Sequence, residues 1–220
     1  MPERGRLHIL VEGQTEETIA RETIAPYLTS VGWWVTYSIV TTKRPAGGPA
    51  HKGGGDQLGP GAARNPPAAQ RFRPASSDDD ARLLRLPPRS AWNEYPASRE
   101  AGRSGGHVEG ALRQHFDDQR FLPHLTLHET EAWVFAARNQ LAELYGNPTI
   151  AAKLQADIDL AGGVEMVNDN PATAPSKRLV RHCPGYLKTT DGPLAISDLG
   201  LEALRLQCPH LDAWLDRLSQ

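Results

Sequence analysis

Cysteine is scarce: Cys183 and Cys208 are the two in 220 residues. Two thiols far apart do not make a disulfide framework. Each stands in an isolated Cys-Pro pair rather than a close ligand pair, which disfavours a zinc site shared with His182 and His210. Long apolar runs are missing too. That excludes a bilayer-spanning helix, and the N-terminal residues lack the core of a signal peptide. The expectation is a soluble, cytoplasmic protein with no membrane partner. No excess of one charge exists either: 24 Lys and Arg face 26 Asp and Glu, a net charge of −2. Any nucleic-acid contact therefore needs a local basic patch or a partner that supplies the charge.

The most telling absence is local. Residues 56–105 contain no Val, Ile, Thr or Lys, yet hold eight Arg, nine Ala and seven Pro. No helical or strand period survives there, so residues 55–106 are expected to be an irregular insert between 1–54 and 107–220. Arginine without lysine, beside Ala, Pro and Gly, is also what GC-rich DNA yields in a wrong reading frame. Arg82–Pro88 written as CGA CTA CTA CGC CTT CCC CCC becomes Asp-Tyr-Tyr-Ala-Phe-Pro when read one nucleotide later. The same shift turns Trp92-Asn93-Glu94-Tyr95 into Gly-Met-Asn-Thr. The hypothesis is a compensated frameshift, entering near Gly53–Gly55 and leaving near Gly105–His107. An independent DNA read that returns the frame unchanged sinks it.

What is present begins at Leu7-His-Ile-Leu-Val-Glu-Gly-Gln-Thr-Glu-Glu17. Residues 6–12 read as a buried strand ending on Glu12. Residues 15–30 read as a helix with Thr15 as N-cap and Pro26 as a late kink. Residues 33–42, β-branched and aromatic, read as a second strand, parallel to the first across a βαβ unit. Further on, 107–116 reads as a helix, 121–127 as a strand, and 128–135 as a strand end running into a helix. Helices are expected at about 149–160, 175–182, 197–206 and 209–219.

A carboxylate at the C-terminal end of a parallel strand sits where α/β proteins place their chemistry. Glu12, Glu129 and Glu131 are the candidate ligands of Mg²⁺ or Mn²⁺, with Glu12 and Glu129 as catalytic candidates. Residues two apart on a strand face one side, so Glu129 and Glu131 converge if the strand persists; if a helix has begun, they diverge. Lys177, Arg178 and Lys188 are the candidate phosphate binders. A basic first turn at Pro175-Ser-Lys-Arg runs against the helix dipole and suits an anion. His-Glu-Thr-Glu-Ala lacks the second histidine of a zinc-protease motif, and His124 and His128 read as packed residues. The tryptophans Trp33, Trp34, Trp133 and Trp214 read as core.

Residues 7–17, His-Lys-Gly-Gly (51–54), Leu-His-Glu-Thr-Glu-Ala-Trp-Val-Phe (127–135), Pro-Ser-Lys-Arg-Leu (175–179), Tyr-Leu-Lys (186–188) and Cys-Pro-His-Leu-Asp-Ala-Trp-Leu (208–215) together resemble a Toprim-like bacterial family, number 4276 of the domains of unknown function. The resemblance covers roughly 1–54 and 107–220. It implies an α/β fold: a Toprim-like parallel sheet flanked by helices, with a helical C-terminal part. It also implies that Glu12 matches the Toprim glutamate and that Glu129 and Glu131 match a late acidic pair. The family's Asp-Tyr-Tyr segment, whose Asp is a metal ligand, is absent from the frame as it stands. Two functions follow. One is a divalent-metal-dependent nuclease or phosphotransfer protein working with a separate ATPase, inactive in this copy if the aspartate is lost. The other is a non-catalytic module that binds nucleic acid or an ATPase.

Overall fold

The computed structural model describes residues 4–39, 82–85, 101–116, 118–167 and 173–220. Strand β1 (Gly5–Val11) lies between β2 (Trp33–Ile39) and β3 (Arg82–Arg85), and both neighbours run parallel to it. Leu7, Ile9 and Val11 are buried, while His8 and Leu10 on the opposite face are half-buried. That face is closed partly by polar pairing: the His8 ring meets the Thr36 and Ser38 hydroxyls at 2.7 and 2.9 Å.

The connection from β1 to β2 is helical throughout but not uniform. Helix α1 (Gln14–Ile19) passes into a π-turn (Ala20–Ile24) and then helix α2 (Ala25–Ser30). Pro26 has no N–H to give, and the Ala25 N–H instead reaches the carbonyl of Ala20, five residues back. The proline therefore widens the helix rather than ending it. Gly13, not Thr15, occupies the N-cap, and Thr15 lies buried within the helix.

Helix α3 (Ala101–Phe116) follows, then an irregular stretch to helix α4 (Glu131–Ala136). The remainder is helical: α5 (Arg138–Leu144), α6 (Thr149–Ala161), a 3₁₀ turn (Val164–Met166), α7 (Pro175–His182), α8 (Asp191–Leu199), α9 (Leu201–Gln207) and α10 (Pro209–Ser219). Proline opens both α7 and α10, where its missing N–H costs nothing. One core joins the buried face of β1 to α4, the most buried helix, with Trp33, Leu141, Leu154, Leu179, Ile196 and Leu211 around them. Each such aliphatic side chain contributes on the order of 2 kcal/mol by leaving water. The Trp33 indole N–H, 2.8 Å from the Leu218 carbonyl, fastens the last helix to the sheet.

Three expectations need correction. Residues 121–127 are not a strand: Phe121 makes one isolated bridge and the next residues are irregular. Pro123 lacks the N–H that a ladder would use. Gly200 splits the helix expected at 197–206, with φ of 82° between α8 and α9. The segment expected to be irregular contains β3 and the first turn of α3. Backbone pairing asks little of side-chain identity, so the open edge of β1 accepts Arg82–Arg85. Residues 40–81 and 86–100, which hold most of the expected insert and His51 to Gly54, lie outside the described residues. Trp33, Trp133 and Trp214 are core as expected, whereas Trp34 is 71% exposed.

Candidate functional site

The acidic face forms where β1 ends. Glu12 follows Val11 and is half-buried. Gly13 turns the chain into α1, and a Cβ there would come within 2.9 Å of Glu16 Oε2. The glycine thus leaves room for the Glu16 carboxylate to fold back over the strand end. Glu16 Oε1 accepts the Thr130 hydroxyl at 2.6 Å. Just before this contact the backbone of His128 takes φ of 70°, a left-handed turn uncommon outside glycine.

The next acids part company. Glu129 Oε2 accepts the Ser176 N–H at 2.9 Å, in the first turn of α7. Glu131 opens α4, is 1% exposed, and has Lys188 Nζ 2.8 Å from Oε1. Lys188 pairs with Oε1, and Oε2 has no hydrogen-bond partner among the described residues. Burial pushes the Glu131 carboxyl above its usual range, and the Lys188 charge opposes this only in part. Burial pulls the Lys188 ammonium down, but Glu131 first, then Glu16 and Glu129, outweigh it and the net shift is upward. One half-exposed lysine therefore answers three carboxylates.

The strand-based convergence of Glu129 and Glu131 is not what forms, because a helix has already begun at Glu131. Among the described residues, Glu12, Glu129 and Glu131 do not make a group whose donor atoms lie within 4.8 Å of one another. Of the basic candidates, Lys177 is exposed on the first turn of α7. Arg178 is committed elsewhere: it pairs with Asp157 and donates to the Thr173 carbonyl at 2.8 Å. The end of α7 that suited an anion already holds one, the Glu129 carboxylate. Lys188 is on the acidic face, bound to Glu131.

A second cluster went unread in the sequence. Glu109 of α3, His124 of the irregular stretch and His210 of α10 bring their donor atoms within 4.8 Å of one another. Glu109 Oε1 lies 2.9 Å from His210 Nε2 and 3.8 Å from His124 Nδ1, and accepts the Leu125 N–H at 2.8 Å. No close sequence spacing marks three residues this far apart; the surviving signal was His210 in the motif Cys-Pro-His-Leu. The zinc set weighed from sequence does not assemble among the described residues, since His182 pairs with Asp157 at 3.0 Å and His210 with Glu109. Both cysteines are buried, and burial pushes the Cys183 thiol up to about 11.

The residues that carry the acidic face and both helix starts at Pro175 and Pro209 lie within the match of one family profile, described as "Domain of unknown function (DUF4276)", over residues 11–219. The chain belongs to this family. Comparison with curated proteins and with solved structures gives no match. DUF4276 membership spans the β1 end, the His128 turn and the Glu109, His124 and His210 cluster alike. No helix among the described residues is long and apolar enough to cross a membrane.

Proposed function

We propose that this chain is a Toprim-like, divalent-metal-dependent nuclease or related phosphotransfer protein that works with a separate ATPase. The observation that carries the reading is the buried Glu131 carboxylate near the end of β1, paired with Lys188 at 2.8 Å, with Glu16 and Glu129 also acting on that lysine. The all-oxygen donor set suits Mg²⁺ or Mn²⁺, and buried Glu131, whose Oε1 pairs with Lys188, offers Oε2 as a further oxygen donor. Three converging protein ligands are not required, because Mg²⁺ commonly takes one or two carboxylates, keeps water, and shares substrate phosphate oxygens.

When bound, the ion polarises the phosphoryl oxygen and stabilises the leaving oxygen. Glu12, half-buried where β1 ends, would act as the general acid or base. Glu131 is the deep carboxylate. Lys188, now paired with Glu131 and half-exposed, would be the group to bind phosphate if an ion took its place beside that carboxylate. Glu129 is a positioning residue, spent on the N-terminus of α7.

The test is cleavage of labelled single-stranded DNA, duplex DNA and RNA by the purified chain in Mg²⁺, Mn²⁺ or EDTA. Cleavage that needs the metal and disappears in Glu12→Ala, with an unchanged circular-dichroism spectrum, is expected. Equal rates in wild type and variant overturn the assignment of Glu12. Metal-independent nucleic-acid binding without cleavage selects the accessory-module reading instead, which the existing Lys188–Glu131 pair favours by already neutralising the deep acid.

A further inference from the structure

His124 is the least explained group in the molecule. It is 2% exposed, and neither ring nitrogen has a hydrogen-bond partner among the described residues. Burying an imidazole with both nitrogens unsatisfied is unfavourable. Its ring is nevertheless fixed: it stacks on Trp214 at 4.6 Å and His210 at 4.9 Å, with Trp133 at 6.1 Å. A group held in place, buried and unsatisfied calls for a partner.

We propose that Glu109, His124 and His210 bind a divalent transition-metal ion, of which Zn²⁺ is the best fit. The donor chemistry is right. Two imidazoles with one carboxylate form a known zinc ligand set, whereas Mg²⁺ seldom takes imidazole. The distances are right. Tetrahedral zinc with bonds near 2.05 Å places its donors about 3.3 Å apart. Here the two contacts to Glu109 Oε1 are 2.9 and 3.8 Å, on either side of that value.

The supporting groups are arranged as a metal site requires. Glu109 Oε1 is held by the Leu125 N–H, and Arg217 Nη2 stands 3.9 Å from Oε2. Glu165 accepts the backbone N–H groups of His210 and Leu211 at 2.8 and 3.2 Å, which fixes the first turn of α10 and with it the His210 side chain. The ion replaces the contact that His210 now makes with Glu109, and His124 gains the partner it lacks. Three protein ligands leave the fourth position for water. The cavity lined by His124 is also lined by Glu16 of the acidic face.

The experiment uses the full chain, stripped with EDTA and dialysed. Zn²⁺ is titrated by calorimetry, and Co²⁺ is added separately as a spectroscopic probe. The expected result is one Zn²⁺ per chain, no competition from excess Mg²⁺, and visible Co²⁺ bands of a tetrahedral nitrogen–oxygen site. His124→Phe keeps the stacking ring and removes the ligand; it should weaken Zn²⁺ by at least about tenfold. His182→Gln should bind as wild type does. Equal affinity in His124→Phe and wild type overturns the proposal, as does loss of binding in His182→Gln. The Co²⁺ spectrum of wild type decides the matter even if His124→Phe does not fold. A strong thiolate charge-transfer band would assign the ion to Cys183 or Cys208 and overturn the site.

Discussion

The two acidic regions of this molecule are built oppositely. At the end of β1, three carboxylates come from two stretches, Glu16 on one and Glu129 with Glu131 on the other, and a half-exposed lysine balances them. Under α10, one carboxylate is enclosed by two rings, a backbone N–H and a distant arginine. The first region is oxygen-rich and reaches solvent through Lys188. The second mixes nitrogen with oxygen and is largely buried. A hard, water-keeping ion suits the first and a borderline-soft ion the second. Number of carboxylates is therefore a poor guide to which ion a region takes; donor type and access to water decide.

The largest effect expected is on turnover. Glu12→Ala should lower metal-dependent cleavage by roughly a thousandfold, a loss typical of removing a group that acts on the reacting atoms, whereas Glu109→Gln should leave the rate within about twofold if the second region lies outside the chemistry. Rate assays on both variants sharpen the contrast, and a collapse of turnover in Glu109→Gln would merge the two regions into one site.

Stability should rank them the other way. Glu109→Ala leaves His210, the Leu125 N–H and Arg217 without their shared acceptor, and should cost about 3 kcal/mol. Glu12 is only half-buried, and its truncation to Ala should cost less than about 1 kcal/mol. Urea melts of both variants give the ordering directly. Between them stands Gly192→Ala, at which a Cβ would lie 2.5 Å from the Tyr186 hydroxyl and 3.1 Å from Val134. Overpacking there should cost about 1–3 kcal/mol, pushing α8 off the α4 helix that carries Glu131.

How much of this could be read beforehand follows from the same contrast. β1, its carboxylate and the glycine turn are contiguous, and short-range periodicity exposed them. The helices at Thr149, Pro175 and Pro209 announced themselves by apolar spacing and by proline at the first turn. The alternation of Phe-Leu-Pro-His-Leu-Thr-Leu misled, because burial in an irregular stretch copies the strand pattern while Pro123 removes the ladder. The cluster of Glu109, His124 and His210 was illegible: its members come from three segments, and only tertiary packing brings them together. His124 read as packed, which it is; that its nitrogens are unsatisfied is visible only in the fold. The strand β3, Arg82–Arg85, was not legible because its pairing with β1 runs through the backbone rather than through a side-chain pattern.

The smallest effect concerns pH, and it isolates what Lys188 contributes to the acidic face. Burial raises the Glu131 carboxyl, so the folded chain holds its proton more tightly than the unfolded chain. That preference stabilises the fold fully below the unfolded value, near 4.5, and is lost as pH rises through the higher folded value. Lys188 softens the loss by pairing with the ionised form. In Lys188→Met the carboxylate has no counter-charge, and the fall in stability from pH 5 to pH 8 should steepen. The increment should be about 1 kcal/mol, below that of a fully buried pair, because the lysine is 49% exposed and water already screens it. Added Mn²⁺ should cancel the increment if the ion takes the lysine's place beside Glu131. Chemical melts at both pH values, with and without Mn²⁺, measure this. A flat difference between wild type and variant would mean that water, not Lys188, already compensates Glu131, and the first region would then be as open to solvent as the second is closed.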